Sequence, residues 1–297
     1  MISVIIPTYN RKNRLKKSIA SVLNQSFTKI EILVVDGSNN DDTKNLVFEL
    51  QDSRVLYIQN PNHTGVCSSR YFGLKKSRYG LVAFLDDDDI WDSSKLKLQY
   101  AAMRKNPSAD LVLCDYIINN LKTKSKKYVS LNKYEKNLNH ILSSPGPFLQ
   151  CCLIKKKYIN NSVLFDQNAF PSEDWDFFIQ LSRKKLKAIN IPKPLFIWNL
   201  SKDSQSLDLK NESNAISYII KKHKKYLLDK TSFKNICLLY RKEAHLLIRS
   251  NAFGLAKKKY FDSLKANFLD LKSLFFFIGC FCGGSWLIKI YLEHNEQ

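Results

Sequence analysis

In the stretch AFLDDDDIW, residues 83–91, four consecutive aspartates follow an apolar run. Adjacent carboxylates repel one another, and keeping them partly desolvated is costly unless a cation or a set of donors neutralises them. Oxygen-only ligands at this density suit Mg²⁺ or Mn²⁺, which bind through one or two carboxylates together with substrate phosphates. Helix capping is the plainer explanation, because carboxylates favour helix N-termini. It accounts for Asp92 and Asp89 but leaves Asp86, Asp87 and Asp88 without a role. The concentration of acid is the more telling because the chain as a whole carries a formal net charge of +20.

Two other acidic positions can do chemistry. Asp36 ends the apolar run IEILVVDGS; it is either a turn residue before Gly37 or an acceptor for a hydrogen bond from a base or ribose. Glu173 and Asp174 in FPSEDWDFF are either the acid pair of a helix N-terminus or, desolvated by the flanking aromatics, a carboxylate of raised pKa suited to general-base work. Trp91 and Trp175 could stack on sugar rings or simply pack. The histidines at 63, 140, 223, 245 and 294 show no HExxH spacing, and no Walker loop, GxSxG elbow or GxGxxG occurs.

The elements that position these groups follow from periodicity. SVIIP, IEILVVD, RVLYIQN and YGLVAFLD read as strands with little polar alternation, and RKNRLKKSIASVLNQS, DDTKNLVFELQ and GVCSSRYFGLKKS read as the helices between them. That order signals a mostly parallel sheet covered by helices, with ligands beyond the carboxyl ends of the strands. Thr8, Tyr9 and Asn10, then Asp36, then Asn60 and Asn62, then the aspartate run all fall at that edge. Further along, DSSKLKLQYAAMRKNP is a helix with Asp92 as its cap, ADLVLCDYIIN a strand, and NNLKTKSKKYVSLNKYEKN a mobile loop or exposed hairpin. PFLQCCLIKKKYI resumes the strand pattern, SEDWDFFIQLSRKK is helical, and KAINIPKPLFIWNL suggests two short strands around prolines.

With 297 residues, 44% of them hydrophobic, the chain can bury a large core. From Ser213 it turns helical and basic, with 15 Lys or Arg against 6 Asp or Glu. The apolar residues 274–288 are too few to span a bilayer and suit a tail lying in the membrane interface. The division expected is residues 1–212 as one domain and 213–297 as a helical, basic, membrane-associating region. Seven cysteines without a CxxC pair read as reduced core thiols of a cytosolic protein. MISVIIPTYN lacks the charged segment of a secretory signal.

Taken together, SVIIPTYNR, EILVVDGSNNDDT, NHTGVCSSRYFGLKKSRYGLVAFLDDDDIWDSSKL and FDQNAFPSEDWDFFIQLS resemble, in order and spacing, the signatures of family 2 glycosyltransferases over about residues 1 to 205. The resemblance implies a GT-A fold, α/β and Rossmann-like, and an inverting transfer from a nucleotide-activated sugar, often UDP-linked, with Mn²⁺ or Mg²⁺. It implies that Pro7, Thr8, Tyr9 and Asn10 line the nucleotide pocket, Asp36 contacts the base and Arg70 faces the nucleotide or its phosphates. Asp86, Asp87 and Asp88 overlay the DXD motif, with Asp88 the direct metal ligand and Asp86 its companion. Asp174 takes the catalytic-base position. The chain departs from the family pattern at Asp36-Gly37, where Asp-Asp is common, at Ser69, where alanine is, and in FIWNLSKDSQS, which has no histidine.

The expected activity is extension of a glycan or lipid-linked acceptor in cell-surface polysaccharide synthesis, at the cytoplasmic face of an anionic membrane, with no nucleic-acid partner. Two competing readings remain at this level. A sugar-nucleotide nucleotidylyltransferase would show a glycine-rich loop after the first strand, where PTYNRKNR has no glycine. A non-catalytic binder of nucleic acid or anionic lipid would draw on the net charge and make no use of the carboxylates.

Overall fold

The computed structural model describes residues 1–62, 64–136, 138–142, 148–159, 165–201, 208–230, 233–281, 288–289 and 291. It divides into two compact units: Met1–Leu138 with Gly146–Gln167 and Gln180–Lys202, and Asn139–Pro145 with Asn168–Ile179 and Asp203–Gln297.

The first unit begins with the expected alternation: β1 (Ile2–Thr8), α1 (Lys12–Leu23), β2 (Ile30–Asp36), α2 (Asp42–Glu49), β3 (Val55–Gln59), α3 (Val66–Lys76) and β4 (Leu81–Phe84). Every residue of β1 and β2 is buried, which is why these runs show no polar alternation. α1 turns Leu15, Ile19 and Val22 inward, the spacing of one helical face. There follow β5 (Ile90–Trp91), α4 (Lys95–Lys105), β6 (Leu111–Asn120), β7 (Ser125–Val129), β8 (Leu153–Lys155), α5 (Glu173–Ser182), which continues across the boundary between the units, and β9 (Ala188–Leu200).

The strands form one sheet in the order β3-β2-β1-β4-β8-β6-β9-β5, with β7 paired to β6. β1 to β4 are parallel; β8 is antiparallel to both β4 and β6, and β9 is parallel to β6. Two reversals cancel, so β6 and β9 point the same way as β4 and their carboxyl ends open on the same edge. The segment left open between loop and hairpin is a hairpin, β6–β7.

Three expectations are corrected. KAINIPKPLFIWNL is one thirteen-residue strand. Pro192 and Pro194 are tolerated because they lie where the register with β6 shifts on both sides of Asp115, the partner of Pro194, and where β5, which meets β9 only at Phe196 and Ile197, does not reach; prolines in sheets are confined to such irregularities and to edges. In PFLQCCLIKKKYI only β8 is a strand, and Leu149–Cys151 is a 3₁₀ turn. Asp92 does not cap α4, whose N-cap is Ser94; its carboxylate instead accepts from the Ser94 amide at 2.9 Å and hydroxyl at 2.6 Å.

The buried polar groups of α4 brace this half of the sheet. Gln99 donates through Nε2 to the carbonyls of Val112 (3.0 Å) and Cys151 (2.8 Å), and its Oε1 accepts from the fully buried Lys95 at 2.9 Å. Lys95 Nζ also lies 3.8 Å from the centre of the Trp91 ring, a cation–π contact that offsets part of its desolvation. Burial lowers the Lys95 pKa.

The second unit contains α6 (Leu209–Lys230), α7 (Phe233–Arg249), α8 (Phe253–Ala266) and α9 (Leu271–Phe281). Ala244, Leu247, Ile248, Ala256, Tyr260 and Phe276 form a core among the last three, with the Tyr260 and Phe276 rings stacked at 5.5 Å. Asp270 starts α9: it accepts from Ser273 Oγ at 2.6 Å, and both its oxygens are 2.9 Å from Arg241 Nη1. Six of the seven cysteines fall among the described residues, all free thiols and five of them buried; Cys282 lies outside the described residues.

Gly73 sets how closely α3 approaches the sheet. A Cβ there would lie 2.6 Å from Ile5 Cγ2 and 2.8 Å from Val35 Cγ2, and both neighbours are fully buried. Overpacking of this kind costs about 1–3 kcal/mol. Gly73→Val is therefore expected to lower unfolding stability by that amount in urea titrations, with Gly80→Ala, which meets nothing within 4 Å, as the neutral comparison.

Candidate active site

β4 delivers the aspartate run to the sheet edge, and each carboxylate meets a different set of donors. Asp86 accepts from Arg70 Nη2 at 2.8 Å and from Gln150 Nε2. Asp87 accepts from Thr8 Oγ1 at 2.7 Å and Arg11 Nη1 at 3.1 Å. Asp88 meets the same Arg11 nitrogen at 3.2 Å and Arg14 Nη1 at 3.6 Å. Asp89 points the other way, accepting from the Asn199 amide of β9 at 2.8 Å.

The backbone of the run is held as firmly as its side chains. Ser18, Ser21 and Gln25 recur at helical spacing along α1 and its C-terminal end. Ser18 Oγ donates to the Asp89 carbonyl at 2.8 Å, Ser21 Oγ accepts from the Trp91 amide at 3.3 Å, and Gln25 Nε2 donates to the Asp92 carbonyl at 2.7 Å. From the opposite side Asn199 Nδ2 donates to the Asp88 carbonyl at 2.9 Å. Gln150 reaches Asp86 because the turn carrying it is pinned at Cys151 by Gln99.

Burial and mutual repulsion govern the electrostatics. Burial pushes the Asp87 carboxyl up to about 6, against the opposing pull of Arg11 and Thr8. Burial, then repulsion by Asp86, raises Asp88 in spite of Arg11 and Arg14. Asp89 is raised well above the usual range by burial, then by Asp88 and Asp86. Arg11 is disfavoured by its own burial, yet Asp87 and Asp88 outweigh this and raise its pKa.

The alternation within the run bears on metal binding. The side chains of Asp86 and Asp88 remain 28% and 21% exposed, whereas Asp87 retains 6%. Asp87 is turned into the protein and the two flanking carboxylates are open to an incoming cation. Among the described residues no three His, Cys, Asp or Glu side chains converge on a point. Two partly exposed carboxylates side by side at one edge, each also met by arginine, are an oxygen donor set of the kind that suits Mg²⁺ or Mn²⁺.

The other anticipated residues occupy the same edge. Pro7 and Thr8 are buried, Tyr9 is exposed, and Asn10 has φ 55° and accepts from Asn40 at 2.9 Å. Asp36 is fully buried; its Oδ1 accepts from the Ser38 amide (2.9 Å) and hydroxyl (2.6 Å), so its turn role is real. Its Oδ2 lies 3.4 Å from the Tyr57 hydroxyl. Trp91 and Trp175 are both buried and act as packing residues; Trp175 Nε1 donates to the Ile141 carbonyl at 2.7 Å.

Asp174 belongs to the first turn of α5, with Glu173 and Asp176, and is half-buried. In the same unit, Asp176 is gripped by Lys222 Nζ at 2.8 Å and His223 Nε2 at 2.6 Å, which fixes the start of α5 against α6. The stretch where a histidine is missing extends beyond Ser201 into residues 202–207, outside the described residues.

Sequence reasoning missed Arg11, Arg14, Gln150 and Asn199. Arg11 and Arg14 were readable in part as cations next to PTYN, facing the acids across the edge. Gln150 and Asn199 carry no local signal, since only strand pairing brings them to the run.

Residues 3–161, more than half of the chain, match the family model "Glycosyl transferase family 2". The chain belongs to that family. This glycosyltransferase is 36% identical over 194 residues to the UDP-Glc:alpha-D-GlcNAc-diphosphoundecaprenol beta-1,3-glucosyltransferase WfgD of Escherichia coli, covering 64% of this chain and 73% of that protein. Its structure is similar to that of S. aureus TarS 1-349 in complex with UDP-GlcNAc, with a TM-score of 0.65 and 18% identity over 89% of this chain and 81% of that one. It is also similar to the mannosyltransferase PcManGT from Pyrobaculum calidifontis in complex with GDP-Man and Mn²⁺, with a TM-score of 0.62 and 14% identity over 98% and 84%. The fold is thus GT-A, as expected. A glycosyltransferase assignment sets aside the nucleotidylyltransferase and the non-catalytic binder.

The Asp87 environment has a measurable signature. A carboxyl whose folded pKa lies above its unfolded value favours the fold fully below the unfolded pKa, and that advantage disappears as pH rises through the folded pKa. The gap between 3.8 and about 6 corresponds to about 3 kcal/mol at most. Between pH 4 and pH 7 the stability of Asp87→Asn relative to the parent is expected to rise by up to that amount in urea unfolding, whatever its sign at pH 4. A difference flat across this window would show that Asp87 titrates normally.

Proposed function

We propose that this glycosyltransferase is an inverting enzyme that moves a sugar from a UDP-sugar to a hydroxyl of a glycan carried on a lipid diphosphate. The observation that carries the reading is the outward-facing pair Asp86 and Asp88 at the carboxyl edge of the sheet, flanked by Arg11, Arg14 and Arg70. The donor class draws support from the UDP-Glc named for WfgD and the UDP-GlcNAc named for TarS, and the acceptor class from the diphosphoundecaprenol named for WfgD.

Asp88 and Asp86 would hold Mn²⁺ or Mg²⁺, and a cation bound there offsets charge developing on the departing diphosphate. Pro7, Thr8, Tyr9 and Asn10 line the nucleotide pocket, Asp36 receives the base, and Arg70 serves the phosphates while keeping Asp86 in place. Asp87 supports the loop from inside through Thr8 and Arg11. Asp174 takes the proton from the acceptor hydroxyl as it attacks the anomeric carbon from the face opposite the leaving group. Catalysis belongs to residues 1–212 in this reading.

Residues 213–297 would hold the enzyme on the inner face of an anionic membrane. Among the described residues no helix is long and apolar enough to cross a bilayer. Yet Phe268, Leu269, Leu271 and Phe275 are 80%, 68%, 74% and 69% exposed, with Lys265 and Lys272 interspersed. Apolar side chains bordered by lysines are the pattern of interfacial attachment.

Two experiments decide these assignments. Asp88→Ala is expected to abolish Mn²⁺-dependent binding of UDP-sugars in calorimetry, whereas Asp174→Asn keeps donor affinity and loses transfer by about 10²–10⁴-fold. Donor affinity unchanged both in Asp88→Ala and in EDTA would overturn the metal assignment. Replacing Phe268, Leu271 and Phe275 together by serine should release the protein from phosphatidylglycerol vesicles in sedimentation; undiminished binding would refute the membrane role.

A further inference from the structure

The β6–β7 hairpin is the most basic protrusion at the edge carrying the active site, and nothing in the donor chemistry uses it. Between Asp115 and Glu135 the chain carries five lysines and no acid. Four of them, Lys122, Lys124, Lys126 and Lys127, fall within the hairpin's turn and returning strand, and all four are exposed. The turn is built rather than loose. Asn120 Oδ1 accepts from the amides of Lys122 (3.0 Å) and Thr123 (3.1 Å), and Leu121 N donates to the Leu200 carbonyl at 3.0 Å.

Topology brings this hairpin to the aspartates. β6 runs in the same direction as β4, so residues 121–124 leave the sheet at the edge where residues 86–89 leave it. A hydrogen-bonded path joins the two. Asn199 donates to the Asp88 carbonyl (2.9 Å) and accepts through Oδ1 from Asn119 Nδ2 (2.9 Å), its register partner in β6. One residue later the hairpin turn begins. The root of the basic hairpin is therefore fixed to the backbone of the carboxylate expected to ligate the metal.

Lysines on an edge strand often serve only to block sheet extension. That accounts for Lys126 and Lys127 in β7, but not for Lys122 and Lys124 in the turn. An acceptor whose sugar is carried on a lipid diphosphate places two phosphates one sugar away from the reacting hydroxyl. The sugars stand between them and the diphosphate of the donor, so groups other than those that hold the donor must meet them. We infer that Lys122 and Lys124 bind the diphosphate of the acceptor and thereby select a lipid-diphosphate-linked glycan over a neutral one. This rests on the acceptor class proposed above.

The test uses two water-soluble probes with the same sugar and tail: α-GlcNAc diphosphoundecyl ester and undecyl α-GlcNAc glycoside. Both are titrated into the full chain by calorimetry with Mn²⁺, with and without saturating UDP. The parent protein should bind the diphosphate probe about tenfold or more tightly than the glycoside, as charge-assisted contacts require. The combined Lys122→Gln and Lys124→Gln variant should lose that preference while keeping its affinity for UDP, and the corresponding two-arginine variant should retain it. Equal affinity of the parent for the two probes, or a preference that survives the glutamine variant, would overturn the inference. So would a glutamine variant that keeps the preference but no longer binds phosphatidylglycerol vesicles, since the lysines would then serve the membrane. Failure of both proteins to bind UDP would sink the donor assignment alone, because the comparison between probes without UDP still decides the role of the hairpin.

Discussion

Placing four carboxylates in succession at the end of a buried strand creates a local excess of negative charge that the rest of the site must contain. Two of them, Asp87 and Asp89, are almost wholly removed from water, and ionised groups in that position are tolerated only with donors close by. The donors come from β1 (Thr8), from the start of α1 and the residue before it (Arg14, Arg11), from α3 (Arg70), from the turn before β8 (Gln150) and from β9 (Asn199). Nearly every element of the carboxyl edge is thus tied to one short loop. What the donors do not offset is visible in the raised pKa values of Asp87, Asp88 and Asp89, which burial and then mutual repulsion produce.

Positioning by packing is the second layer. The loop backbone is clamped between α1, through Ser18, Ser21 and Gln25, and β9, through Asn199. Gln99 holds the carbonyl of Cys151 and so presents Gln150 to Asp86. These contacts come from rigid elements with buried side chains, and a preformed site loses little of its binding energy to ordering.

The parts legible in the sequence are those written in local periodicity. β1 to β4 and α1 to α4 announce themselves because strand and helix bury faces of fixed spacing, and the aspartates and Thr8 are conspicuous beside them, whereas Arg70 is picked out only by the family resemblance. Gln150 and Asn199 were invisible because their partners are 64 and 111 residues away, a pairing decided by sheet order. β5 was missed since two residues carry no period, and β9 was cut in two because proline is read as a break unless one knows that one side of the strand is unpaired. Nothing local marks Lys95 for burial; the Trp91 ring and Gln99 make it intelligible.

The short strand β8, three residues long and antiparallel to both its neighbours, joins β4 to β6. It separates the half of the sheet that bears the aspartate run from the half that bears the basic hairpin, and the two halves reconnect at the edge through Asn199. Mutational drift can therefore lengthen, recharge or replace residues 121–124 without disturbing the strands that hold Thr8, Asp36 and the aspartates.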